Sequence, residues 1–274
     1  MTMSKLNNDI CFIIAKYLIK SEYKLLDWID INDINYILLN FNPHPAAIEI
    51  LKESLLNRQD RIDWISLSSN PNAIELLREN PDKILWSQLS LNPNAIELIR
   101  ENPDKIYWSQ LSSNPNAIEL LRENPDKINW CQLSSNPNAI ELIRENPDKI
   151  SWSQLSKNPN PNAIELLKEN RDKIDWYWLS SNQEAIELLK ENRDKIDWFQ
   201  LSKNPNAIEL LRENQNKINW FNLSLNPNAI ELLRENRDKI NYRILSSNPS
   251  IFELDYNKNK ELLENKVIEL NLLL

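Results

Sequence analysis

The sequence predicts an all-α fold: an alpha solenoid of 22-residue units, each an α-helix plus a short helix, α or 3₁₀. Three observations carry this. Trp64, Trp86, Trp108, Trp130 and Trp152 recur at one spacing, and Trp176, Trp198, Trp220 and Tyr242 resume it. Asparagine-proline pairs recur in the same register. The apolar residues between them follow helical spacing, without the period-2 alternation of strands. A fixed period of this length is the signature of a repeat architecture.

The unit Asn70 to Leu91 shows why each element forms. Asn70 and Pro71 are an N-cap followed by proline in the first turn, while Asn72 with Glu75 offers a capping box instead. Ala73 to Glu79 are mostly strong helix formers, and Asn80-Pro81 stops the helix. Pro81 to Ile84 then reads as a turn. A second, shorter helix starts near Trp86, and in most units it follows Asn or Asp: Asp63, Asn129, Asp175, Asp197, Asn219 and Asn241. Asn80 and its equivalents Asn102, Asn124, Asn146, Asn170, Asn192, Asn214 and Asn236 form a structural ladder that satisfies backbone groups at the helix ends.

Ala73, Ile74, Leu76, Leu77, Ile84, Trp86 and Leu89 are the expected core positions. One unit cannot bury them alone, so neighbours must stack. At ordinary helix spacing nine units would make a rod or superhelix about 70–90 Å long. Between Trp152 and Trp176 two extra residues fall in Asn158-Pro159-Asn160-Pro161-Asn162, a duplicated pair that belongs in a surface loop. The expected organisation is an N-terminal helical cap over 1–33, the solenoid over 34–249 and a C-terminal capping helix over 250–274.

Composition narrows the function. Among 274 residues there are no glycines and ten tryptophans. Glycine loops that cradle phosphates are therefore ruled out, and Asn and Pro must make the turns. A net charge of −8 argues against broad nucleic-acid binding. Cys11 and Cys131 suggest no disulfide framework, which fits a reducing intracellular setting. No apolar run is long enough to span a bilayer. The stretch Ile10 to Ala15 is cut by Lys16 and Lys20 and lacks a cleavage site, so no signal peptide is expected. His44 is the sole histidine, which excludes histidine-cluster metal sites and most triads. It sits in a proline loop and is expected to be exposed. Neither a catalytic constellation nor a cofactor or metal motif is present, and the expected class is non-enzymatic.

The Asn-Pro-Asn, Leu-Leu and Asp-Lys-Ile pattern resembles the leucine-rich variant type of α-solenoid, which implies architecture but no activity. The chain, rich in Asn, Ile and Lys, also resembles repeat proteins of large DNA viruses of protists, such as the mimivirus group. That resemblance implies the host cytoplasm as location. Leu6-Asn7-Asn8-Asp9-Ile10 followed by Ile14, Tyr17 and Leu18 is similar to the first half of an F-box, with Asn7 where that family has proline. It implies docking to ubiquitin-ligase machinery through Leu6, Ile10, Ile14, Tyr17 and Leu18. The same residues also describe an amphipathic helix that caps the first repeat.

Within the chain, the positions flanking the tryptophan vary most. The residue after it runs Ile65, Ser87, Ser109, Cys131, Ser153, Tyr177, Phe199, Phe221, Arg243, and the next includes Trp178. Ser and Gln fill both columns in the middle units, so both are expected to face solvent. Tyr177, Trp178, Phe199 and Phe221, together with Tyr107 in the column before the tryptophan, are the candidate partner-binding residues. The alternative is that these rings pad the groove between short helices. The expected role is a protein-interaction scaffold acting as a monomer, in a sharper version a substrate adaptor for host ubiquitin ligase. A structural spacer or virion component is the alternative, and a base-reading repeat is disfavoured by the acidic balance.

Overall fold

A computed structural model describes residues 11–16, 18–57 and 62–273. The chain divides into two compact units: Asp33–Ser250, and Met1–Asn32 together with Ile251–Leu274.

The unit Asp33–Ser250 contains the repeats. A typical one, Asn92 to Ser113, runs through a 3₁₀ turn Pro93–Ala95, the helix Ile96–Arg100, a second 3₁₀ turn Pro103–Lys105 and the helix Trp108–Leu111. The short tryptophan helix is thus one α turn, and the 3₁₀ geometry resides in the two proline turns. Asn92 accepts a hydrogen bond from the Asn94 N–H, the N-cap role expected of that column. Asp63, Asn129, Asp175, Asp197, Asn219 and Asn241 cap the tryptophan helices. The Nδ2 of Asn102 donates to the carbonyl of Leu98 at the helix end, as read for that column. No described residue has positive φ, so the glycine-free chain turns through ordinary φ alone, with Arg or Gln in place of proline where the turns start at Arg171, Gln183, Arg193, Gln215 and Arg237.

Ala95, Leu98, Ile99, Leu89 and their equivalents form the core. Trp86 and Ile74, expected there, are only half-buried. The indole lies against the next unit instead, where Lys105 Nζ sits 4.6 Å from the centre of the Trp86 ring. The extra residues at 158–162 give one continuous helix, Pro161–Glu169, in place of a 3₁₀ turn plus helix, and the register is kept. The first unit carries a longer helix, Pro45–Asn57.

Two side-chain ladders join the repeats. In the first, Asn114 donates both amide hydrogens across the unit boundary, to the carbonyls of Ser90 at 3.0 Å and Asn92 at 2.9 Å. Asn70, Asn92, Asn136, Asn158, Asn182, Asn204, Asn226 and Asn248 repeat the arrangement. In the second, a buried serine such as Ser112 donates to the Trp108 carbonyl and accepts from the Asn129 N–H of the next unit. In the first unit Asn40 takes the serine's place, donating to the Tyr36 carbonyl and accepting from the Asp63 N–H.

Both ladders close on themselves. Asn42, in the first repeat, donates to the carbonyls of Ser246 at 3.1 Å and Asn248 at 2.9 Å, in the last. The Asn35 N–H donates to the Ser246 hydroxyl at 2.8 Å. Ten asparagines thus form an unbroken circle, Asn42 following Asn248 as Asn114 follows Asn92. The repeats form a closed ring, not the open rod or superhelix expected from stacking alone. The physical reason is a wedge-shaped unit. Neighbouring Asn-Pro turns are tied by one short asparagine side chain, whereas the helices Ile96–Arg100 and Ile118–Glu123 are linked through the long side chains of Arg100 and Glu123, and wedges stacked in one sense close a circle.

The segments entering and leaving the repeats were expected as separate caps, and they form one unit. Strand β1 (Tyr23–Leu25) pairs antiparallel with β2 (Phe252–Leu254), with Lys24 opposite Glu253. Such pairing was not expected, because three residues give no readable alternation. Asn259, in the helix Tyr256–Leu273, accepts from the Glu22 N–H and donates to the Glu22 carbonyl. No helix among the described residues is long and apolar enough to cross a membrane.

Replacing Asn114 with alanine should lower unfolding free energy by about 3 kcal/mol, since the buried Ser90 carbonyl and the Asn116 N–H both lose a partner. The same change at Asn116, whose exposed amide makes one inter-unit bond to Pro93, should cost under about 1.5 kcal/mol. Urea midpoints of the two variants check the order. Closure is checked separately by spin labels at Arg243→Cys and Ile37→Cys in a Cys131→Ser background. Their separation should match that of labels at Ser87 and Ser109 in adjacent units, whereas an open stack would place them about 70–90 Å apart.

Candidate partner-binding surface

Each tryptophan helix turns its fourth residue, Leu89 or its equivalent, into the core, and the following serine is buried in the ladder. The residue just after the tryptophan therefore points away from the core. The structure places Tyr177, Phe199 and Phe221 there, and Ile37 and Ile65 in the same column, each 42–56 % exposed. One helical turn on, four residues further, a second column shares the face: Ser181, Lys203, Leu225, Ser247, Phe41 and Ser69. Phe41 is exposed and Leu225 half-buried.

Contacts across unit boundaries show that this face is continuous. The Ser109 hydroxyl accepts from Asn129 Nδ2, Cys131 Sγ lies 3.8 Å from the Ser151 hydroxyl, and the Ser153 hydroxyl donates to the Asp175 carboxylate at 2.8 Å. Each is a bond from this column to the next unit. Around the closed ring the column therefore runs Tyr177, Phe199, Phe221, Arg243, Ile37, Ile65, and then Ser87, Ser109, Cys131, Ser153. One arc is apolar and the other is small and polar.

Trp178 does not join that face. It is half-buried, its ring 4.9 Å from Tyr177 in an edge-to-face arrangement at 80°, with Lys157 Nζ 3.6 Å from its centre. The rest of its column corrects the expectation of solvent-facing residues. Gln200 and Asn222 are buried, and Asn222 Nδ2 donates to the Phe199 carbonyl of the preceding unit. Two residues past the tryptophan, the side chain points along the stack rather than out of it. The groove-padding alternative thus fits Trp178 and not the three exposed rings.

Tyr107 is exposed but stands in the column before the tryptophan, three units from Tyr177. It borders a shallow groove with Leu85 and Trp86 and is not brought together with the other rings. Ile14 and Leu18 are exposed, while Leu6, Ile10 and Tyr17 lie outside the described residues. Ile37, Phe41 and Ile65 join this face without having been among the candidate residues of the sequence. Their signal was the column alignment, which becomes a surface only through closure.

Charge is mostly spent between neighbours. Arg78 pairs with Glu101, Arg100 with Glu123 and Arg212 with Glu235, each in the following unit. Lysines of the second 3₁₀ turns lie over tryptophans of the preceding unit: Lys149 over Trp130, Lys173 over Trp152, Lys217 over Trp198 and Lys239 over Trp220. Arg122, Arg144 and Arg234 have no ion-pair partner among the described residues, and the same holds for three cations at the apolar arc. Lys157 and Lys203 contact the rings of Trp178 and Phe199, and neither they nor Arg243 has a carboxylate partner among the described residues. His44, expected to be exposed, is half-buried. Its Nδ1 accepts from the Ala46 N–H, and burial lowers its pKa. No group of metal-ligating side chains occurs among the described residues.

The Arg212 guanidinium donates to Glu235 at 2.7 and 3.0 Å and holds that carboxyl below the usual range, against a smaller opposing effect of desolvation. A lowered folded-state pKa means the pair favours the folded ring above the ordinary carboxylate range. That contribution fades as pH falls through the lowered value. Carboxyl NMR titration should show Glu235 moving upward in Arg212→Gln.

Compared with known proteins, the chain matches no family model, no curated protein and no solved structure at significant similarity.

Proposed function

We propose that the protein is a non-enzymatic interaction scaffold that holds another protein on the exposed arc of Tyr177, Phe199, Phe221, Ile37, Phe41 and Ile65. The observation that supports this is the alignment of large apolar side chains on one continuous face. Single exposed apolar residues are ordinary, but a contiguous patch of aromatic and aliphatic groups on a rigid frame is typical of a protein contact. The ladders supply the rigidity, so the groups are held in position before a partner arrives.

A substrate adaptor for host ubiquitin ligase is the finer version of this reading. It rests on the F-box resemblance of residues 6–18 and on the exposure of Ile14 and Leu18. The resemblance to repeat proteins of protist viruses makes a protist lysate the relevant source of partners. A structural role in the virion is the competing reading, and the small polar arc of near-identical units supports it. A linear spacer fits less well, because the closed ladder leaves no end unit on which to extend a rod.

Affinity purification from a protist lysate tests the reading with three chains: the intact protein, a deletion of residues 1–30, and a Tyr177/Phe199/Phe221/Ile37→Ser variant with unchanged circular dichroism. The serine variant should lose a protein that the intact chain retains. The deletion should lose ubiquitin-ligase components if the adaptor version holds. Recovery of the same proteins by all three chains would leave the structural role as the better reading.

A further inference from the structure

The exposed arc combines two features that constrain its occupant. First, it is built from both ends of the repeat region. Tyr177, Phe199, Phe221 and Arg243 come from the last units and Ile37, Phe41 and Ile65 from the first, joined where Asn42 bonds to Ser246 and Asn248. Second, its polar members are cationic. Lys157 and Lys203, both half-buried, and the exposed Arg243 stand in the two columns of this face and have no carboxylate partner among the described residues, although the chain as a whole carries a net charge of −8. Elsewhere in the repeats, Arg78, Arg100 and Arg212 are paired across units, while Arg122, Arg144 and Arg234 have no ion-pair partner among the described residues and no exposed ring beside them in their column. The half-buried aspartates Asp63, Asp175 and Asp197 are engaged as helix caps, each accepting a backbone N–H, and Asp175 also accepts from the Ser153 hydroxyl. Uncompensated cations around exposed rings favour a partner that brings both apolar anchors and carboxylates.

Resting on the reading of this arc as a protein contact, we propose that its occupant is a peptide segment with aromatic or aliphatic anchors flanked by aspartate or glutamate, bound across the closure of the ring. The anchors lie on Phe199, Phe221, Ile37 and Phe41, and the carboxylates meet Lys203 and Arg243, with Lys157 at one edge. Arg243 sits between Phe221 and Ile37 in the column, so one acidic residue between two anchors suits the seam. The arc Ser87 to Ser153 carries one exposed apolar side chain in these two columns, Leu91, and a cation only at its far edge, Lys157, so it offers no cluster of anchors.

Panning a random 16-residue peptide library on the intact protein tests this whatever the identity of the partner. Enriched peptides should combine apolar anchors with acidic residues and bind in fluorescence anisotropy. Binding should weaken at least about tenfold in a Lys157/Lys203/Arg243→Glu variant and fall with added salt. It should be lost in Phe199/Phe221/Ile37→Ser. Circular dichroism of both variants must match that of the intact protein. If enriched peptides are neutral or basic, or bind the charge-reversed variant unchanged yet lose the serine variant, the acidic partner is overturned and the protein contact stands. If no peptide is enriched, or binding survives the serine variant, both ideas fall.

Discussion

A buried asparagine amide held between two carbonyls of the preceding repeat sets the geometry of the ring. Asparagine has two amide donors and a carbonyl acceptor, and this column uses all of its hydrogens and its oxygen. Asn114 gives its hydrogens to Ser90 and Asn92 and takes the N–H of Asn116. The side chain is short, so successive turns must lie close together, while the helices further out are linked by the long side chains of Arg100 and Glu123. Spacing that is tight at one edge and wider at the other curves the stack, and repetition of the same bond turns curvature into closure. The position cannot drift, because every asparagine of the circle is buried and any other residue would leave carbonyls unpaired.

Absence of glycine is part of the same design. A helix that ends on a left-handed residue usually does so on glycine. Here each helix ends on an asparagine such as Asn80, with φ of −131°, whose side chain returns to the Leu76 carbonyl. Proline then starts a 3₁₀ turn, supplying the required φ and removing an N–H that would lack a partner. The chain therefore changes direction twice per unit without any positive φ. The order of the units comes from side-chain amides and hydroxyls as much as from apolar burial, and among the described residues none of the buried side-chain polar atoms is left unpaired.

Much of this is legible in the sequence. The tryptophan period, the Asn-Pro cap and the Asn-Pro stop define the units and their helices, because each rests on local backbone chemistry. The inter-unit ladders were half legible. Asn80 reads correctly as a helix-end residue, yet the asparagine that joins units is Asn70, whose local capping role hides its second pair of bonds. The constant serine, Ser90 and its equivalents, gave a clear signal of repetition without showing that it was buried. Closure was not legible at all. It depends on a small angle summed over all the units, and no single unit encodes that sum in a pattern of residue types.

Closure also explains why the candidate surface was only partly visible. In linear order Tyr177, Phe199 and Phe221 form a cluster that ends at Arg243, and Ile37, Phe41 and Ile65 look like irregularities of a degraded first repeat. On a circle the two groups are neighbours, and the degraded repeat becomes the continuation of the patch. The first repeat keeps what the ring requires, Asn35, Asn40 and Asn42, each making its ladder bond. Its departures fall at exposed positions such as Ile37 and Phe41, where the scaffold makes no demand. Variation at exposed positions while the joints are preserved is the pattern expected when the frame is fixed and the surface carries the specificity.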